Sequence, residues 1–166
     1  MIISYNGKVT AADIRKAVFL NYSPIFIWGN AVMIALAIGA IVYFSVMGTL
    51  DGTYLLALLF VILMLATPFW QPFQTAQKAT RKGSLYHDPV HGTINESSVS
   101  VESGKTPVVY AWSSYTRFKQ GKEIILLYKE RMCVNIFTPA LFASQQDWET
   151  FARMVSEKIT DRKPAA

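Results

Sequence analysis

Charge is missing from most of the first half of this chain. No Asp, Glu, Lys or Arg stands between Lys16 and Asp51, and none between Asp51 and Lys78. Cysteine occurs once, at Cys133, which excludes a disulfide framework, and histidine occurs only at His87 and His91. A nucleophilic Cys133 needs a His partner, and none is nearby in sequence, so it reads as a small apolar strand residue. The chain also lacks a glycine-rich phosphate loop, a paired CxxC, a Ser-centred elbow and a His-Glu helix motif. In "HDPVH", Pro89 excludes a helix, and an extended strand holds His87 and His91 about 13 Å apart, too far to share one metal ion. These absences point away from catalysis and leave no metal or cofactor site.

What is present is apolar: 52% of the 166 residues are hydrophobic and 16% are charged. The run "PIFIWGNAVMIALAIGAIVYFSVMG" covers about 25 residues and "YLLALLFVILMLATPFW" about 17, against the roughly 20 a helix needs to cross the hydrocarbon of a bilayer. Residues 24–73 therefore read as a transmembrane hairpin, with one span at about 25–47 and a second at about 53–73, joined by the turn "GTLDGT". A chain of this length has too little polar structure to surround two fully apolar helices. A cleaved leader fits poorly too, because the first run is too long and starts too far into the chain.

The flanks mark the membrane surface. Phe69, Trp70 and Phe73 form an interfacial aromatic belt, Pro68 and Pro72 bend or end the second helix, and Lys78, Arg81 and Lys82 follow in a basic linker at 74–84. Lys8, Arg15 and Lys16 precede the first helix, whereas the turn carries only Asp51, so the bias of positive charge places both termini in the cytoplasm. The spans carry no ionisable side chain of the kind a proton relay or ion pathway needs. Asn30 reads as an amide near the cytoplasmic interface, or as a donor across to Thr67 or to a partner helix, and Gly39, Ala40 and Ser45 permit close helix packing.

The remainder divides into short elements. Residues 1–23 give an alternating stretch and then a helix that starts at Thr10 with Asp13 in a capping box. Its Ile14, Ala17, Val18 and Asn21 face suits either a membrane surface or a solvated connection. Whether residues 2–9 add a strand to the later domain is left open. From Leu85 to Phe137 the period changes to that of an antiparallel meander, with turns at Asn95-Glu96-Ser97, Ser103-Gly104-Lys105, Gln120-Gly121-Lys122 and Lys129-Glu130-Arg131. Ser144 and Asp147 then open a helix whose Trp148, Phe151, Ala152, Val155 and Ile159 stripe covers the sheet. The expected core of this 85–160 domain holds Trp112, Leu126, Tyr128, Val134, Ile136, Trp148, Phe151 and Val155, and 161–166 form a disordered tail.

The order of charged N-terminus, two close apolar helices and a β-rich domain ending in a helix resembles the YcxB-like family of bacterial membrane proteins. The resemblance is carried by "HGTINESSVSVES", the tryptophan of "YAWSSYTRF", "EIILLY" and "VNIFTPALFASQQDWETFARMV". It implies a small pleckstrin-homology-like domain on a bacterial inner membrane. The chain departs from that pattern at Thr138 and Pro139, where the family has proline and then a basic residue ahead of the aromatic at Phe142. The sequence thus indicates a membrane α+β protein without enzymatic activity, acting as an anchored binding module or accessory subunit. Its partners would be anionic headgroups of the bilayer and a protein, or a second copy, met through the helices. A homo-oligomeric transporter or channel component is the rival. Nucleic acid is not indicated, because the basic residues are dispersed and no aromatic-basic recognition motif accompanies them.

Overall fold

The computed structural model describes residues 2–48, 51–84, 86–102, 107–130 and 132–159; of Cys133 and Val134 the backbone alone is described. The element order is β1 (Ile3–Gly7), α1 (Ala11–Asn21), α2 (Pro24–Val46), α3 (Gly52–Ala79), β2 (Val90–Ile94), β3 (Ser98–Glu102), β4 (Val108–Ala111), β5 (Arg117–Gly121), β6 (Ile124–Lys129), β7 (Met132–Phe137) and α4 (Gln145–Lys158). Two compact units result: Asn21–Gln74, and Met1–Leu20 together with Thr75–Ala166.

The second unit is the β domain. Its strands form two antiparallel sheets, ordered β1-β2-β3-β4 and β5-β6-β7. The N-terminal stretch does join the domain: β1 pairs with β2 from Ile3↔Ile94 to Gly7↔Val90. Alternation decides which side chains point inward, so Ile3, Tyr5, Val90, Ile94 and Val99 are buried while Ser4, Asn6, His91 and Thr93 face out. The expected single meander is corrected here to two sheets. The stretch "PVVYAWSSYTRF" is not one strand, because a 3-10 turn at Trp112–Ser114 divides β4 from β5. Trp112 makes the break: its backbone N–H donates to the Ser97 carbonyl at 3.2 Å and its indole N–H to the Asn95 carbonyl at 2.8 Å, which draws the ring inward.

Turn chemistry holds the strands in register. Asn95 Oδ1 accepts from the backbone N–H groups of Ser97 and Ser98 at 2.8 and 2.7 Å, turning β2 into β3. Glu130 takes a left-handed φ of 56° between β6 and β7. The turn expected at Ser103-Gly104-Lys105 and the tail 161–166 lie outside the described residues. Gly92 stands opposite Tyr5 in the ladder, and the Tyr5 hydroxyl reaches past it to donate to the Ser100 carbonyl at 2.8 Å. A Cβ at Gly92 would fall on that Ser100 oxygen and 2.7 Å from the Tyr5 Oη, so the path is open only to glycine.

Capping side chains start both α1 and α4. Thr10 Oγ1 accepts from the Asp13 N–H at 3.2 Å while the Thr10 N–H donates to Asp13 Oδ2 at 2.9 Å. Ser144 Oγ likewise accepts from the Asp147 N–H at 3.1 Å. α1 lays Ile14 and Ala17 into the domain core, so its apolar face is spent on protein and neither expected setting describes it. Lys119 of β5 donates to the Leu20 carbonyl at 3.3 Å, which satisfies an end group in a last turn with no basic residue of its own. Trp112, Leu126, Tyr128, Ile136, Trp148, Phe151 and Val155 are all buried. α4 brings Phe151 to 4.7 Å from Phe137 and 5.2 Å from Phe142 between ring centroids, and Tyr5 stands 5.2 Å from Phe137.

The first unit is the hairpin of α2 and α3. α3 runs unbroken through Pro68 and Pro72 to Ala79, so neither proline ends it, and the first part of the expected linker is helical. Each proline removes one ladder hydrogen bond, and the remaining bonds carry the helix past both. Gly92→Ala is expected to lower domain stability by about 1–3 kcal/mol through overpacking, and Tyr5→Phe by about 1 kcal/mol through the lost hydrogen bond. Thermal unfolding of the purified variants measures both, and an unchanged midpoint for Gly92→Ala would contradict the described crossing of β2 by Tyr5.

Candidate functional site

Two surfaces carry features that packing alone does not use. The larger is the hairpin. α2 and α3 are long and apolar enough to cross a membrane, and their side chains are almost wholly uncovered. Ala37 is the buried residue of α2. Of the positions expected to pack, Gly39 has open space where a Cβ would stand, Ser45 is exposed and Ala40 half-buried. Asn30 does not reach across. Its Nδ2 donates to the Phe26 carbonyl at 2.7 Å, and Thr67 Oγ1 donates to the Leu63 carbonyl at 3.3 Å, so each satisfies itself on its own helix. Short polar side chains in an apolar setting find the carbonyl four residues back without any partner.

Aromatic residues gather at both ends of the hairpin. Near the chain's entrance and exit stand Phe26, Trp28, Phe69, Trp70 and Phe73, with Trp70 66% and Phe73 42% exposed. Near the turn stand Tyr43, Phe44 and Tyr54, all exposed. Along α3, Tyr54 and Phe73 are separated by about 29 Å at 1.5 Å per residue, which matches the roughly 30 Å of bilayer hydrocarbon. The open end is clasped by Tyr22, whose hydroxyl donates to Gln71 Oε1 at 2.9 Å. The turn end is capped by Asp51, whose Oδ1 accepts from the Thr53 and Tyr54 N–H groups at 2.9 and 3.0 Å. Neither the clasp nor the second belt was assigned in the sequence, although Tyr43, Phe44 and Tyr54 flanking a turn were its signal.

The basic residues are placed by the end of α3. Lys78, Arg81 and Lys82 are exposed, and the chain after them folds back onto the helix terminus. Ser84 Oγ donates to the Lys78 carbonyl at 2.8 Å, the Tyr86 N–H to the Ala79 carbonyl at 3.3 Å, and His87 Nδ1 lies 3.2 Å from the Thr80 carbonyl. Lys78 follows Phe73 by about 7.5 Å along the helix axis. Lys16 makes a contact that was not assigned in the sequence: its Nζ donates to Glu123 Oε2 at 2.8 Å, tying α1 to the β5–β6 turn. That hydrogen bond holds the Glu123 carboxyl below its ordinary value and the Lys16 ammonium above its own. Arg15 is half-buried on the same helix.

The smaller surface is the outer face of the four-stranded sheet, a shallow cleft of about 550 Å³ lined by Ser4, Asn6, His91, Thr93, Ser100 and Glu102. His91 Nε2 lies 3.2 Å from Glu102 Oε2, its partner across the ladder. His87 and His91 therefore stand in separate contacts, and no group of three His, Cys, Asp or Glu side chains is set for a metal among the described residues. Beneath the sheet, burial raises the pKa of the Tyr5 and Tyr115 hydroxyls, and Tyr115 accepts a hydrogen bond from Asn135 Nδ2 at 2.7 Å. Both phenols remain protonated structural groups.

Comparison of the chain with protein-family models, with curated proteins and with solved structures finds no match.

The Lys16–Glu123 pair makes a signed prediction. Because the Glu123 pKa is lowered on folding, its contribution is present above the unfolded glutamate value and is lost as pH falls through the folded one. Thermal unfolding in a series of acidic buffers should show that loss in the parent chain and not in Glu123→Gln; identical acid limbs would contradict it. Both groups are solvent-facing, so the difference is small.

Proposed function

We propose that the chain is a non-enzymatic integral membrane protein, in which an α2–α3 hairpin crosses the bilayer and holds a β domain against the headgroups as a binding module or accessory subunit. The observation that carries the reading is the hairpin itself: two uncovered apolar helices, bounded by aromatic residues about 29 Å apart on α3. Burial against lipid is the setting in which such side chains cost nothing. Lys78, Arg81 and Lys82 then follow the inner belt at headgroup depth, where each cation contributes about 1 kcal/mol of attraction to an anionic surface. Their sign, with Lys8 and Arg15 on the other flank, orients both termini toward the cytoplasm of a bacterial inner membrane.

Among the described residues, seven antiparallel strands in a four-stranded and a three-stranded sheet, followed by a helix over the core, support a pleckstrin-homology-like reading and with it the resemblance to the YcxB-like family. The hairpin sits between the first and second strands of that domain. Two histidines in separate surface contacts favour binding over catalysis. A pore needs a polar lining, and the exposed faces of α2 and α3 are apolar, which favours a subunit or lipid contact over a channel.

The first test is extraction of native membranes in mild detergent, then size-exclusion chromatography and mass spectrometry of what co-elutes. Stoichiometric co-elution with a larger assembly is the expected result, and elution as a lone oligomer would count against the accessory role. The variant Lys78→Gln, Arg81→Gln, Lys82→Gln is expected to retain on the order of tenfold less anionic lipid, counted among the lipids that co-purify. An unchanged lipid count would remove those residues from the headgroup site.

A further inference from the structure

The β1–β2 ladder joins two strands that lie on opposite sides of the hairpin in the chain. Five register pairs, Ile3↔Ile94 to Gly7↔Val90, tie them together, and a helix pair long enough to cross a membrane twice is strung between. A strand cannot pair through hydrocarbon, where backbone N–H and C=O groups must be satisfied within the spanning segment itself. The ladder therefore closes only in chains whose intervening segment crosses the membrane an even number of times. Nothing in this requirement depends on charge.

What closes with it is the domain. β1 brings Ile3 and Tyr5 into the core and is followed by Val9, each 3% exposed or less. Tyr5 also supplies the bond to Ser100 and stands against Phe137. Gly7 passes so close to Leu141 that a Cβ would lie 2.8 Å from its Cδ2. An isolated bridge from Tyr5 to Phe142 covers the outer edge of β1. Without β1, β2 becomes an open edge and the apolar side chains of Ile94, Phe137 and Phe142 lose a neighbour. The outer cleft is lost as well, since Ser4 and Asn6 come from β1 and His91 and Thr93 from β2.

We infer that β1 is a latch that reports the topology of the hairpin: the first strand waits at the membrane until α3 has returned the chain to the same side, and only then completes the sheet. The charge bias of the flanks selects the side, and the ladder keeps the two flanks together on it. This rests on the membrane-spanning reading above. The consequence is that the domain and its polar cleft exist only in correctly inserted chains.

The test uses the full chain with Cys133→Ser, so that the only thiols are those introduced at Ser4→Cys and Thr93→Cys, an exposed register pair. Parent membranes are first washed in alkaline carbonate; release of the chain would overturn the spanning reading rather than the latch. In the washed membranes a short bifunctional thiol reagent is expected to cross-link the pair efficiently. Removing residues 24–46 leaves α3 as a single span, and the cross-link among carbonate-resistant chains is expected to fall at least about tenfold, because the flanks then lie on opposite sides of the hydrocarbon. Replacing residues 24–46 by a polyleucine span of the same length is expected to restore it to within about twofold, since an apolar span of that length crosses the bilayer. Retained cross-linking in the single-span chain would overturn the latch. So would failure of the carbonate-resistant polyleucine chain to recover it, because crossing number would then not be what closes the ladder.

Discussion

The pairing of β1 with β2 is the contact on which the rest of the domain leans, and it is a contact between residues separated by both long helices. Its ladder sets Tyr5 opposite Gly92, and from that position the phenol reaches Ser100 on the third strand while its ring meets Phe137 of the other sheet. One residue thus touches both sheets. The aromatic group of Phe137, Phe142, Trp148 and Phe151 continues the same layer to α4, so that sheet, turn and helix share one apolar centre. Thr138 lies at the edge of this layer with a buried hydroxyl that has no hydrogen-bond partner in the described structure.

Each unit has its own way of handling apolar surface. α4 is one-sided: Trp148, Phe151, Met154 and Val155 are buried and the opposite face is charged, the pattern of a helix that ends in water. α2 is apolar all round and exposed nearly all round, a pattern that water does not tolerate and lipid does. α1 lies between these cases. Its Ile14 and Ala17 belong to the domain core, while Lys16 is turned outward to Glu123.

Much of this was legible in the sequence, and the parts that were not share a cause. The two apolar runs, the α4 stripe and the Thr10-Asp13 and Ser144-Asp147 caps are local signals, and local signals survive folding. The ladder between β1 and β2 is not local, so nothing in "ISYNG" announces a partner beyond the hairpin. The face of α1 was ambiguous because Ile14 and Ala17 look the same whether they meet lipid or a sheet. Asn30 and Thr67 suggested a bond across the hairpin, but a carbonyl four residues back is always nearer than another helix. The strand break at Trp112 was hidden by β-prone neighbours, since its cause is an indole N–H aimed at Asn95. In the candidate site the aromatic residues at the open end of the hairpin and the basic run were readable as composition, whereas the Tyr22–Gln71 clasp joins residues 49 apart and leaves no local signal.

The prolines of α3 carry a further consequence. A helix that continues through Pro68 and Pro72 has no amide hydrogen to give to the carbonyls of Met64 and Pro68, each four residues before a proline. Each of these carbonyls thereby loses its partner in the ladder. Both losses fall within the stretch from Met64 to Pro72, so the resistance of α3 to bending is lowest there, and any change of direction along the helix is concentrated in the half that leads to the β domain's side of the chain.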